Sequence, residues 1–523
     1  MSLINNNFFI PEKLFLEKDD FIYLTKGGVV PQSFERVALS SESPNLNEIN
    51  FHKNVKFIYF LDGYAHYIKK EMIPSSVIGA IFFNITYALT SESIPNTIKF
   101  MGFNGYKNQV TKEIVQPFVY QLGVGGDMGY PLNKELLEKG TIKTLLFDGN
   151  YSHQITNESI IDNLDSLLII KTKFTLDENS LRPPFKIYPP ISPKGIYFCE
   201  GYKFNVISKL FPPLGFCTLK HDINILNISK PITKELFKDL PTDYRVNIGW
   251  GYKHKLNAWM IDNYERSVGI GNIVHPVPDI FFGEKVRFFN GYSHKISPFS
   301  YGLQVREMVF GQVDFAVTKD IMPSISVQHL YFERGYNHKL TPDIFCNVRC
   351  LTVNGIKSHI FNKTSLPKSN CSIRELTLKN LDFPFDSSFF PTDGIHKLVL
   401  CNVSQVIGND QLPKSIFSLS LIKVKLDPKF KYPESLSHLK IEDIDQKLTK
   451  ESIPSELEFF ELLVYKFPLS KDLFPNSINH IVIGETINPF THDMAPESLK
   501  LLMTAHDYKF LPLDKPLLKY YCQ

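Results

Sequence analysis

Histidine recurs at a fixed place in this chain, and a row of histidines could bind a metal, carry protons or sense pH. Gly-Tyr-x-His occurs as Gly63-Tyr64-Ala65-His66, Gly251-Tyr252-Lys253-His254, Gly291-Tyr292-Ser293-His294 and Gly335-Tyr336-Asn337-His338. Variants are Gly105-Tyr106-Lys107-Asn108, Gly149-Asn150-Tyr151-Ser152-His153 and Gly201-Tyr202-Lys203-Phe204. The tyrosines follow one another at 42, 45, 51, 50, 40 and 44 residues. Other chemistry is scarce. The phosphate-loop, zinc-protease and nucleophile-elbow signatures are all missing from the sequence. The run Gly123-Val124-Gly125-Gly126-Asp127-Met128-Gly129 places Met128 where a dinucleotide loop needs its third glycine, so it reads as a turn.

What the histidines do depends on the elements that carry them, and those elements repeat. Pro391, Pro413, Pro433, Pro454, Pro475 and Pro496 are spaced by 22, 20, 21, 21 and 21 residues. Pro413, Pro433, Pro475 and Pro496 are each followed by x, Ser and then alternating apolar positions, as in YPESLSHLKI and FPNSINHIVI. Pro74 and Pro95 open the same pattern near the other end, and the register can be carried from Pro11 through 23 coils. The alternating stretch predicts a short half-buried strand in every coil. Proline fixes φ and donates no hydrogen bond, which suits the corner before that strand. Serine two residues on can bond backbone at the corner. A coil of this length leaves room for turns, extended segments and occasional 3₁₀ pieces on the far side, and for no full helix.

The predicted fold is therefore all-β, a parallel-strand solenoid of about 23 coils of 21–22 residues. Three stretches differ in style. Residues 1–50 hold N-terminal coils and a cap. Residues 51–345 carry the double repeat of about 44 residues marked by Gly-Tyr-x-His, and residues 346–523 hold regular Pro-x-Ser coils and a C-terminal cap.

With parallel strands about 4.8 Å apart, histidines on alternate coils stand about 9–10 Å apart. Zinc ligands must lie within about 2.0–2.3 Å of one ion. The row cannot share a metal unaided, so Tyr64, His66, Tyr252, His254, Tyr292, His294, Tyr336 and His338 are read as structural repeat positions. Pro74, Pro95, Pro413, Pro433, Pro454, Pro475 and Pro496 join them. No catalytic, cofactor or metal residue is assigned. Two further features have a structural and a binding reading. The proline-rich insertion at residues 181–194 is first a stiff bulge and second a contact loop. Trp250 and Trp259 are first buried fillers of a wider coil and second exposed anchors.

Phe83-Asn84 followed by Ile94-Pro95, with Phe204-Asn205 in a later coil, resembles the FNIP repeat. That repeat forms arrays in social amoebae and some giant DNA viruses and is related to leucine-rich repeats. Here Tyr-x-His commonly replaces its Phe-Asn half. The resemblance implies a leucine-rich-repeat-like solenoid that mediates protein–protein interaction. Some members begin with an F-box, whereas the first fifty residues here read as coils. A role as substrate-recognition adaptor for ubiquitin ligation thus rests on the resemblance alone, and an enzyme with its site on the concave face is a weaker alternative.

Composition narrows the partners. Lys plus Arg is 57 against 54 for Asp plus Glu, and this near balance lacks the basic footprint of a nucleic-acid binder. No apolar run approaches the roughly 18 residues of a membrane span. Neither a basic start nor a long apolar stretch marks a secretory signal. Seven cysteines without a C-x-x-C suit reduced thiols. The expectation is a monomer in the cytoplasm, or the host cytoplasm if the source is viral. It would bind protein partners, neither nucleic acid nor membrane, and need no cofactor.

Overall fold

The computed structural model describes residues 22–24 and 30–504, apart from 31, 116, 138–140, 162–163, 177–179, 182–194, 200–201, 212–220, 242–243, 250, 258–266, 279–283, 290, 298–304, 323–326, 370 and 489. Trp250, Trp259 and residues 182–194 of the proline-rich insertion therefore lie outside the described residues. Two compact units divide the chain, Met1–Phe281 and Phe282–Gln523.

Alternating apolar residues become strands, and each strand pairs in parallel with that of the next coil. In the first unit twelve strands, from Ile22–Leu24 to Ser267–Ile270, form a ladder in chain order. Eleven do so in the second unit, from Lys285–Phe288 to Leu501–Thr504. That is one ladder strand for each of the 23 coils read from the sequence. The protein is an all-β parallel-strand solenoid. Val406–Ile407 and Lys425–Leu426 add a small second ladder outside the main one.

The far sides are built from 3₁₀ turns, with one α-helix of four residues, Lys234–Phe237, among the described residues. Most strands begin five residues after the proposed corner, as at Pro74, Pro95, Pro413, Pro433, Pro454, Pro475 and Pro496. Several coils depart from this. The strand assigned to Pro11 starts at Ile22, eleven residues on, and that of Pro241 at Tyr244, three residues on. The coils assigned to Pro213 and Pro367 also differ. Their strands start at His221 and Glu375, eight residues on, because these coils hold extra chain ahead of the strand.

Stacking identical positions produces continuous columns in the core. Leu376 and Leu378, Leu398 and Leu400, Leu419 and Leu421, then Leu439 and Ile441 are all buried, at 0–1% exposure. Phenylalanine forms such a column in each unit. Phe60, Phe82 and Phe103 stack with centroids 5.1 and 5.6 Å apart. Phe288, Phe310 and Phe332 do so at 5.5 and 5.8 Å. Such offset stacking adds to the burial of the rings.

The corners work as their residues dictate. The carbonyls of Pro74, Pro95, Pro433, Pro475 and Pro496 each accept the N–H of the apolar residue three positions on, closing a turn into the strand. The hydroxyls of Ser415, Ser435, Ser477 and Ser498, two residues after a proline, donate to Ile395, Ile416, Leu457 and Ile478 of the preceding coil at 2.6–2.9 Å.

Deleting the Phe82 ring is expected to destabilise the first unit by about 3–5 kcal/mol, the usual cost of Phe→Ala in a packed core. Phe118, 46% exposed, is the control; Phe118→Ala should change stability by no more than about 0.5 kcal/mol. Denaturant midpoints of the two variants test the difference.

Candidate functional site

The Gly-Tyr-x-His motif sits in the turn that leaves each strand. Its glycines take positive φ, for example +70° at Gly105, where a Cβ would come within 2.0 Å of the Asn84 side-chain oxygen. That turn aims the tyrosine into the core. Tyr64, Tyr106, Tyr151, Tyr202, Tyr252, Tyr292 and Tyr336 are all at most 3% exposed. The tyrosine positions pair in parallel with smaller residues on the next coil: Tyr151 with Thr172, Tyr252 with Ile273, and Tyr292 with Val313. Large and small residues therefore alternate along the column, which is the physical content of the 44-residue period.

The phenol oxygens have a shared acceptor role. Four of them, on Tyr106, Tyr151, Tyr252 and Tyr336, accept the backbone N–H of an apolar residue one coil back. Leu89 donates to Tyr106 at 2.9 Å, Leu132 to Tyr151 at 2.8 Å, Ile232 to Tyr252 at 2.7 Å and Val317 to Tyr336 at 3.0 Å. These donors directly precede the residue that opens a far-side turn, such as Thr90, Asn133, Thr233 or Thr318, and they lie inside the protein. An N–H buried there without an acceptor would cost about 1–3 kcal/mol.

Regular coils fill the same need with other residues. Leu448 donates to Tyr465 at 2.7 Å, Phe385 to the Gln405 side chain at 2.6 Å and Leu469 to the Asn488 side chain at 2.7 Å. Sequence reading missed this capping. Its only signal was an apolar residue before Thr, Ser, Asn or Asp with Tyr, Gln or Asn some twenty positions on.

The histidines also reach back one coil. Nε2 of His66, His153, His254 and His338 lies 2.9–3.2 Å from the carbonyls of Ser43, Met128, Ile228 and Val313. A carbonyl only accepts, so Nε2 carries the proton. Tyr87 and Asn108, at the matching place on other coils, donate to His66 and Thr86 carbonyls in the same way. Each ring stands edge-on to its own tyrosine, as for Tyr252 and His254 at 5.5 Å and 66°. Among the described residues no three His, Cys, Asp or Glu side chains converge on a possible metal position.

Asparagine bonds from coil to coil only locally. Asn402 donates to Asn380, and Asn380 to Asn354, each at 2.7 Å. The glycine run that resembled a dinucleotide loop is divided between a strand, Gln121–Gly125, and the turn after it, with Gly126 at φ +65°.

The strand faces turned away from the core differ between units. In the first, Ala38, Tyr59, Ile81, Leu146 and Leu168 are at most 5% exposed and form one apolar cluster with Phe57, while the later strands carry the ion pair Arg245–Asp222 at 2.8 Å and the Asn247–Asn224 bond at 3.0 Å. In the second, the outward positions are half-buried or exposed throughout, from Lys285 and Arg287 to Leu501 and Met503. They carry cross-strand ion pairs, Lys285–Glu307 at 2.9 Å, Lys397–Glu375 at 3.1 Å and Lys440–Glu461 at 2.9 Å. Between these lie Tyr331 and a stack of His438, Phe459 and His480, with centroids 5.6 and 6.0 Å apart.

Tyr252→Phe keeps the ring and strips the acceptor from the Ile232 N–H. The expected result is a loss of about 1–3 kcal/mol, with faster hydrogen exchange at Ile232 and its neighbours and little change in the second unit. Burial pushes the phenols of Tyr64, Tyr151, Tyr252 and Tyr336 up to about 12, opposed by the backbone N–H that each meets. The unfolded value is near 10. The folded pKa is raised, so this stabilisation is complete below about pH 10 and is lost as pH rises toward 12. Absorbance at 295 nm should show these tyrosines ionising together with alkaline unfolding. Their titration near pH 10 in a folded protein would contradict the assignment.

No family model matches the chain. An FNIP repeat-containing protein of Dictyostelium discoideum is 60% identical over 525 residues, covering 100% of both chains. A second FNIP repeat-containing protein of that organism is 29% identical over 99 residues, 19% of this chain and 16% of the relative. Among solved structures, a circular leucine-rich-repeat protein is 15% identical, covering 94% of this chain and 77% of its own, at a TM-score of 0.38. Full-length identity at this level places the chain among the FNIP repeat-containing proteins.

Proposed function

We propose that the protein is an interaction scaffold that binds a protein partner on the open strand face of its second unit and catalyses no reaction itself. The observation that carries this reading is the contrast between the two strand faces. In the first unit apolar side chains fill that face over the strands from Arg36–Leu39 to Ser166–Ile169, and a single ion pair, Arg245–Asp222, lies on its later strands among the described residues. In the second it presents eleven parallel strands of half-exposed side chains at a fixed spacing, with mixed charge and scattered aromatics. Regular stacking makes such faces extended binding surfaces. Tyr331 and Phe459 are the residues on it best suited to anchor a partner, since aromatic residues dominate interface energetics. Exposed ion pairs around them contribute little stability, about 0–1 kcal/mol each, which leaves them free to be exchanged for contacts with a partner.

The reading extends to a monomer working in the cytoplasm. Among the described residues no helix is long and apolar enough to cross a membrane. Five described cysteines, Cys199, Cys346, Cys350, Cys371 and Cys401, are free thiols, consistent with a reducing compartment.

Proximity labelling in the native cell, run in parallel on the wild type and on a Tyr331→Ala/Phe459→Ala variant, tests the proposal. The variant should lose at least tenfold of the labelling of reproducible partners while its thermal midpoint is kept. Tyr67→Ser, at an exposed side chain of the first unit, should label as the wild type does. An unchanged partner set in the double variant would overturn the strand-face assignment.

A further inference from the structure

Turn length alternates along the tyrosine column. Four residues separate Phe198 from Tyr202, three separate Ile225 from Ile228, four separate Ile248 from Tyr252 and three separate Ile270 from Ile273. Long turns therefore lie between short ones. The alternation fails twice in the first unit. Phe82 to Ile85 and Phe103 to Tyr106 are both three-residue steps, on consecutive coils. Val124 to Met128 and Phe147 to Tyr151 are both four-residue steps, on consecutive coils. Each of these two turns has a glycine at positive φ, Gly126 at +65° and Gly149 at +61°, and Asn150 at +61° follows the second directly.

A cleft opens at the second irregularity. It has a volume of about 570 Å³ and is lined by Asp127, Asn150, Ser152, Lys173, Lys203 and the two glycines. Asp127 and Asn150 belong to the two adjacent long turns. Lys173 and Lys203 come from the next two coils.

The charge inside is unbalanced. Asp127 is already held by Lys107 at 3.0 Å, and this ion pair keeps its carboxyl below the usual range. Lys173 and Lys203 have no ion-pair partner among the described residues. The Ser152 hydroxyl is buried and has no hydrogen-bond partner among the described residues. Two cations, an unused hydroxyl and the Asn150 side chain thus line one opening.

We propose that this cleft is a binding site for a phosphate monoester. The two unpaired lysines match the charge of about −1.5 to −2 that a phosphate monoester carries at neutral pH, where a carboxylate would neutralise only one of them. Ser152 and Asn150 supply hydrogen-bond donors to its oxygens. A phosphorylated side chain of a protein and a small sugar phosphate offer the same chemistry. The site lies on the turn edge of the first unit and is independent of the strand face assigned above.

Calorimetric titration of the full chain with phosphoserine, serine and glutamate tests the proposal. Phosphoserine should bind at least tenfold more tightly than either of the others, and more weakly as salt is raised. Lys173→Met/Lys203→Met should lose at least tenfold of that affinity with an unchanged thermal midpoint, and Ser152→Ala should lose several-fold. A phosphoserine heptapeptide and glucose 6-phosphate are the source arms, and the tighter of the two identifies the kind of ligand. Equal binding of serine and phosphoserine, or full affinity in the double lysine variant, would overturn the site.

Discussion

On seven described coils a buried backbone N–H just before the far-side turn takes its acceptor from a side chain of the next coil, and these coils depend on that bond. Strand ladders satisfy the main chain on one side of each coil. The far side has no ladder of comparable length, so side chains must complete the bonding. Tyr106, Tyr151, Tyr252 and Tyr336 do this in the double repeats, and Gln405, Tyr465 and Asn488 in the regular coils. The requirement is the same in both styles of coil, although the residue types differ.

The histidine row follows from this arrangement. Once a glycine turn directs the tyrosine inward, the residue two positions later lies over the preceding coil. A donor there meets a carbonyl that would otherwise be half-buried and unpaired. Histidine, tyrosine and asparagine all serve, as His66, Tyr87 and Asn108 show. Nε2 is committed to donating to that carbonyl. The same nitrogen cannot also be a metal ligand.

Much of this was legible from residues alone. A solenoid's contacts run from one coil to the next, so a period of about 21 residues states which residues touch. The Pro-x-Ser corners, the alternating strands and the paired columns such as Leu398 with Leu419 all follow from that period. Register slipped where the period was broken, at Pro11, Pro213, Pro241 and Pro367, because a change in chain length ahead of a strand carries no periodic signal. The capping of Leu132 by Tyr151 was not read, because it joins two unlike positions nineteen residues apart.

The sequence by itself determined the fold class, an all-β parallel-strand solenoid of repeated coils. Local periodicity is enough for this, since each coil depends on a strand and its immediate neighbours. Only the tertiary structure decided that the strand face is filled by apolar side chains over the strands from Arg36–Leu39 to Ser166–Ile169 and is presented to solvent in the second unit. It also decided that two adjacent long turns open a cleft beneath Lys173 and Lys203. Both features arise where side chains from several coils occupy a common space, and no single repeat encodes that space.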